Sequence, residues 1–244
     1  MIDCDNMPLF PLQTVLFPGM TIPLHIFEQR YRLMIEQCLA SNSPFGIVLI
    51  THGSDVDDGS GPPTICRIGC LARIVRSEEL ADGRFFVEVS GDKRFEIEET
   101  SDSEPYLTGK ITTIDDADAY DEQLEPLYES VSNRFRIYVK RLMERLNRTV
   151  SVIQLPTDPS ALSFAVAGAL DIPTVDKQAL LEVPTTGARL QMEVAILDSS
   201  PSPTSLESVE PIEPPTQKPK SPLTDKAKVT PLTAADMKDK LSRN

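Results

Sequence analysis

The sequence predicts an α+β protein: a mostly antiparallel β domain of distorted-barrel form with one early helix, followed by an α-helical bundle. Three observations carry this. Up to about residue 116, short apolar segments alternate with turn-forming residues, the pattern of small antiparallel strands. After residue 117 the apolar period becomes helical. From residue 199 the chain turns proline-rich and holds no aromatic residue or cysteine, which predicts a disordered tail. The expected division is therefore a β subdomain over 1–116, a helical subdomain over 117–198 and a tail over 199–244.

Met7 to Leu12 and Thr21 to Ile26 are predicted strands on either side of the Pro18-Gly19 turn pair. Phe27, Tyr31, Met34, Ile35, Cys38 and Leu39 then fall at helical spacing, and Asn42-Ser43-Pro44 ends that helix. Phe45 to Ile50 is a continuous apolar strand, and Thr51 to Pro63 a polar loop. Strands are expected at Thr64 to Val75, Phe85 to Val89, Arg94 to Glu98 and Leu107 to Ile114. Ala81-Asp82-Gly83 supplies a hairpin turn among them.

In the helical half, Leu124, Leu127, Val131, Phe135, Tyr138, Leu142 and Leu146 step by three or four and predict one long amphipathic helix. A second, Ser160 to Leu170, is apolar nearly all round and should be buried. A third follows Ile172-Pro173-Thr174 and carries Lys177, Leu180 and Leu181. Thr185-Thr186 can cap a fourth, with Leu190, Val194 and Leu197 on one face.

With 24 Lys and Arg against 37 Asp and Glu, the formal charge is −13. Nucleic-acid and basic membrane-surface binders lean on cationic excess, so nucleic acid is an unlikely partner. From Asp198 onward the seven acids and seven bases cancel, and the body carries the whole deficit. No apolar run reaches the roughly 20 residues needed to cross a bilayer, and the acidic amino terminus does not resemble a signal peptide. A cytoplasmic, membrane-free protein is expected.

Motifs of catalysis and cofactor binding are missing from the sequence. Neither a phosphate-cradling G-x-x-x-x-G-K-[ST] loop nor G-x-G-x-x-G, G-x-S-x-G or H-E-x-x-H is found. No catalytic residue, cofactor or metal is expected. Cys66 and Cys70 form a C-x₃-C pair that would share one side of a strand, but two distant histidines cannot complete a zinc site. Asp55, Asp57 and Asp58 open like a calcium loop, yet Cys66 stands where a bidentate Glu is needed. His25 and Cys38 could form a base–thiol pair, although a packed imidazole and an inert thiol are the simpler reading.

Two charge features stand out. Glu96 to Glu122 holds ten acids against Lys110 alone. The long helix carries Arg134, Arg136, Lys140, Arg141, Arg145 and Arg148, either a solvated, internally paired face or a docking stripe. The cationic end of the tail, with Ala234, Met237 and Leu241 at helical spacing, reads either as a tethered docking motif or as an unstructured end with chance periodicity.

The segment MPLFPLQTVLFPGMTIPLHIFEQRYRLM resembles the opening of the Lon protease amino-terminal, or substrate-binding, domain. That family has an apolar-proline strand, a VLFPG turn (here Val15 to Gly19), a PLHIFE junction (Pro23 to Glu28) and an RYR helix (Arg30 to Arg32). Ile68-Gly69-Cys70-Leu71-Ala72, Asp82-Gly83-Arg84, Gly91 to Phe95, Pro105-Tyr106-Leu107 and the KQALLE…ARL segment from Lys177 to Leu190 resemble later family motifs in order. The likeness covers about residues 7 to 197; Gln29 departs from it where the family often has proline.

The resemblance implies a PUA-like β fold, a helical bundle and a non-enzymatic, stand-alone module that recognises unfolded or partner polypeptide, as an adaptor to a protease. ATP hydrolysis and peptide cleavage are not carried over, since the family's ATPase and Ser-Lys protease modules are not seen in this sequence. The candidate peptide- or partner-binding residues are Phe17, Pro18, Pro23, Glu28, Arg30, Tyr31 and Arg94. The alternative is a PUA-like RNA-binding protein, which the negative charge opposes.

Overall fold

The computed structural model describes residues 4–53, 63–118, 124–148 and 153–199. These begin with strands β1 (Met7–Leu12) and β2 (Thr21–Ile26), helix α1 (Gln29–Ser41) and strand β3 (Phe45–His52). The short β4 (Thr64–Ile65), β5 (Ile68–Glu79), β6 (Phe85–Ser101) and β7 (Thr108–Ile114) complete the sheet. Helices α2 (Glu125–Arg145), α3 (Pro159–Ala169), α4 (Thr174–Glu182) and α5 (Thr186–Ser199) follow. The expected order of a β part and then a helical part is the order found. The disordered-tail, calcium-loop and tail-docking expectations fall on residues outside those described.

The sheet is antiparallel except at one place. Strands run β1-β7-β6-β5-β3, and β1 also pairs with β3 in parallel, Leu9 opposite Gly46, which closes the circuit. The small β4 hangs on β3 and β2 on β6, so the barrel is distorted rather than regular. Single-sided strands alternate inward and outward side chains, as β6 does from Phe85 to Val89, with Phe85, Val87 and Val89 inward and Phe86 and Glu88 outward. By contrast β3 is buried from Phe45 to Ile50, because Phe45 and Ile47 face the core under α1, Val48 a second cluster with Phe95, and Leu49 the helices. That explains its unbroken apolar run.

The two strands expected at Phe85–Val89 and Arg94–Glu98 are one bent strand. Its first half lies between β2 and β5; its second lies between β7 and β5. The change of neighbour happens at Gly91, where the backbone of the Phe17–Met20 turn comes in. Gly91 N donates to Met20 O at 2.8 Å, and Gly19 N donates to Gly91 O at 2.9 Å. A Cβ on Gly91 would lie 2.1 Å from the Phe17 carbonyl oxygen, so only glycine lets the strand and turn meet. Gly19 serves differently: its φ of 76° is the left-handed value that the turn after Pro18 requires.

Helix ends follow local chemistry. Asp158 caps α3, its Oδ2 accepting from Ala161 N at 2.7 Å, with Pro159 in the first turn. Asn42 ends α1 in the left-handed region at φ 49°. The helices bury Val131, Phe135, Leu162, Phe164, Leu180, Leu181 and Leu190 against Val15, Phe17 and Leu49 of the β part.

Cys66 and Cys70 do not share a side. The chain breaks between β4 and β5 at Cys66-Arg67, so Cys66 packs toward the helices while Cys70 is fully buried in the core under α1. No helix among the described residues is long and apolar enough to cross a membrane.

Candidate functional site

The β part and the helices are joined by a buried ionic knot. Arg94, on β6, is 2% exposed, and its Nη1 donates to the carbonyls of Leu181 and Val183 at the end of α4, both at 2.7 Å. Its Nη2 donates to Asp116 Oδ1 at 2.5 Å. From the other side Arg189 of α5 donates to Asp116 Oδ2, which also accepts from Ser160 Oγ at 2.8 Å and Thr186 Oγ1 at 2.6 Å. Arg189 Nε donates to Ser163 Oγ, and the guanidinium lies 3.8 Å from the centre of the Phe164 ring. Burial pushes the Asp116 carboxyl up, but the hydrogen bonds from Arg189, Thr186 and Ser160 outweigh it and hold it below the usual range. Burial lowers Arg94, against the pull of Asp116.

Two residues on, Asp118 accepts from the backbone of Thr186 and Gly187 and so caps α5. Gln178 of α4 donates to the Ile68 carbonyl of β5 at 2.9 Å. These contacts fix the helices against the sheet and give the surface beside them a rigid floor.

On that floor lie two adjoining clefts that share Pro18, Ser160 and Phe164. One, of about 310 Å³, is mainly apolar and is walled by Gly19, Pro156, Ala161 and Ala165. The other, of about 340 Å³, is rimmed by Asp92, Lys93 and Asp115. Together they make a groove with an apolar end and a charged end, held between the Pro18 turn and α3. A third cleft, about 430 Å³, runs beside α1 and is lined by Arg30, Arg32, Leu33, Glu36 and Pro105.

Of the sequence-derived candidates, Pro18 lines the groove, and Phe17 is fully buried beneath it, its ring 6.4 Å from Phe164. Arg94 touches the charged cleft but spends its guanidinium on the knot. Arg30 lines the α1 cleft, paired with Glu28 at 2.9 Å and set 4.5 Å over the ring of the buried Tyr31. Pro23 is exposed on β2 and lines neither the groove nor the α1 cleft. The candidates therefore divide among the groove, the α1 cleft and β2.

Near Pro23, His25 stacks on the exposed Phe86 at 4.6 Å, with Phe27 also exposed. The Cys38 thiol is buried instead in the core under α1, where desolvation raises its pKa. No group of three His, Cys, Asp or Glu among the described residues could hold a metal ion.

The sequence reading missed Asp116, Arg189 and the α3 wall of the groove. Asp116 sits inside an acid-rich stretch that reads as a solvated flank, and nothing local marks it as buried. The available signal was the hydroxyl set Ser160, Ser163 and Thr186 at helix starts and inner faces, which gives a buried carboxylate and guanidinium their partners.

The family model of the ATP-dependent protease La (LON) substrate-binding domain matches residues 6–199. The chain is 30% identical to a Lon protease of Rhizobium meliloti over 190 residues, 78% of this chain but 23% of that protein. It is 24% identical to a Lon protease of Anaeromyxobacter dehalogenans over 79% of this chain and again 23% of the relative. The chain thus spans about a quarter of the length of the relatives it matches. Among solved structures it resembles a Lon N-terminal domain protein from Xanthomonas campestris (TM-score 0.54, 24% identity, covering 78% of this chain and 97% of that one). It also resembles the N-terminal domain of the Mycobacterium avium complex Lon protease (TM-score 0.57, 20% identity, 80% and 100% covered).

Proposed function

This chain belongs to the Lon substrate-binding domain family, and on that premise we propose that it binds extended polypeptide in the groove between the Pro18 turn and α3, without chemistry of its own. The observation that carries the reading is the groove's construction. Its apolar end is walled by rigid or small residues, Pro18, Pro156, Ala161 and Ala165, so filling it orders few side chains of the protein itself. Its other end carries exposed ion pairs, Lys93 with Asp115 at 3.0 Å and Asp92 with Arg73 at 2.7 Å, beside which a peptide's polar groups can lie. Such a surface suits an unfolded segment whose apolar side chains are exposed, and delivery of that segment to a protease is the adaptor role this reading entails. The RNA-binding alternative finds no support in the family matched.

Ala161 and Ala165 are exposed, one turn apart on α3, and lie outside the packed core. The test is binding of a fluorescently labelled, reduced and carboxymethylated polypeptide to the chain and to its Ala161→Arg/Ala165→Arg variant. The variant should bind at least tenfold more weakly with an unchanged melting temperature. Equal binding by the two proteins would exclude the groove.

A further inference from the structure

Helices α2 and α5 lie side by side and run in the same direction. At their starts, a Cβ on Gly187 would come 3.1 Å from Leu124; at the end of α5, Arg134 donates to Asp198 at 2.7 Å. There α5 stops, at Ser199, while α2 runs on to Arg145. The inner side of this extension stays packed: the rings of Phe135 and Tyr138 stack at 6.1 Å, and Tyr138 Oη accepts from Asp171 N. The outer side is different. Ile137 is 51% exposed, and at about 100° per residue Arg134, Lys140, Arg141 and Arg145 all fall within about 80° of it around the helix. Arg148 lies beyond the end of the helix, after the left-handed Asn147 (φ 53°).

Of these cations only Arg134 has a carboxylate partner among the described residues; Lys140, Arg141 and Arg145 are in no ion pair there. In a chain of net charge −13, three cations without an ion pair among the described residues, grouped around one exposed isoleucine, are a local reversal of sign, with Glu144 the single acid among them. Pairing among the described residues does not account for this face.

We propose that the outer face of α2, centred on Ile137, docks an acidic polypeptide segment of a partner protein in which apolar side chains alternate with carboxylates. Charge complementarity fixes the sign of the partner, and Ile137 in the middle of the cations fixes its mixed character. Single-stranded nucleic acid would be the other polyanion, but it is held by exposed aromatic platforms. Among the described residues this face has none: the rings of Tyr138 and Phe135 are turned inward and stacked on each other. The surface is separate from the Pro18 groove, and each reading stands or falls without the other.

The test uses the full chain and a fluorescein-labelled peptide of Glu-Glu-Leu repeats, with Gln-Gln-Leu repeats and polyuridylate of equal length for comparison. The acidic peptide should bind saturably at about 50 mM salt and at least tenfold more weakly at about 300 mM, since exposed charges are screened there. Lys140→Gln/Arg141→Gln/Arg145→Gln should reduce binding at least tenfold, whereas Ala161→Arg/Ala165→Arg should not. Ile137→Asn should weaken it severalfold, and the Gln-Gln-Leu peptide should not bind. Absence of saturable binding at low salt, or unchanged binding by the triple variant, would overturn the proposal. So would polyuridylate binding more tightly than the peptide, which would assign the face to nucleic acid. Self-association that the triple variant abolishes, without peptide binding, would assign it to a second copy.

Discussion

Arg94 Nη2 and Asp116 Oδ1 meet at 2.5 Å, and both side chains are 2% exposed. Through this one contact β6 is tied to the segment that leads into the helices, and Arg189 completes the tie from α5. Taking two guanidinium groups and a carboxylate out of water is costly. The knot survives because Asp116 accepts from Arg94, Arg189, Ser160 and Thr186, while Arg94 also reaches two carbonyls.

Removing the shared carboxylate should therefore be among the most damaging single changes in the chain. Asp116→Ala leaves two buried cations facing one another and should cost about 3–5 kcal/mol. Urea unfolding should show a large drop in midpoint. A loss below about 1 kcal/mol, the range of exposed ion pairs, would mean that the three charges do not act as a unit.

Glycines 91 and 19 should respond unequally to alanine. At Gly19 nothing lies within 4 Å of the added Cβ, so Gly19→Ala costs only the left-handed backbone, about 1 kcal/mol. At Gly91 the Cβ would meet the Phe17 carbonyl at 2.1 Å, and either β6 or the turn must move. Gly91→Ala should be the more destabilising by about 1–3 kcal/mol, as overpacked interiors are, in parallel chemical denaturation.

The cysteines should divide by burial. Desolvation pushes the Cys70 thiol up to about 12, and it raises Cys38 as well. In native protein near pH 8, a thiol-disulfide reagent should leave Cys38 and Cys70 unmodified and reach only the half-buried Cys4 and Cys66. Mass spectrometry after a timed quench reads this directly. Rapid modification of Cys70 without unfolding would contradict its place in the core.

The order of the elements was legible in the sequence because most carry their own signal. The Pro18-Gly19 turn, the helical stepping from Leu124 to Leu146 and the unbroken run of β3 each declare themselves locally. What was not legible depends on contacts between distant segments. The union of two expected strands into β6 rests on a turn about 70 residues earlier. Asp116 and Arg189 look like surface charges until the fold closes over them, and so does Glu193, which sits on the same α5 turn as the expected apolar face of Leu190, Val194 and Leu197. The groove was half legible: Pro18 came from the turn motif, whereas Ala161 and Ala165 are unremarkable alanines on a helix.

Glu193 gives the last prediction. It is fully buried on α5, one turn beyond Arg189, and neither carboxylate oxygen has a hydrogen-bond partner among the described residues. Desolvation pushes its pKa up to about 9, against the attraction of Arg189. The folded chain therefore holds a proton on Glu193 at pH values where the unfolded chain, titrating near the ordinary glutamate value of about 4.5, has released it. More protons bound in the folded state means that stability falls as pH rises. The contribution of this group is fully present below about pH 4.5 and is lost progressively between there and about pH 9. Its slope approaches about 1.4 kcal/mol per pH unit in the middle of that window. Glu193→Gln cannot ionise and should flatten this component, so that the variant gains on the parent as pH rises from 6 to 8. Urea midpoints of both proteins across that interval decide the matter: a constant difference between them would show that Glu193 does not bind its proton more tightly in the folded chain.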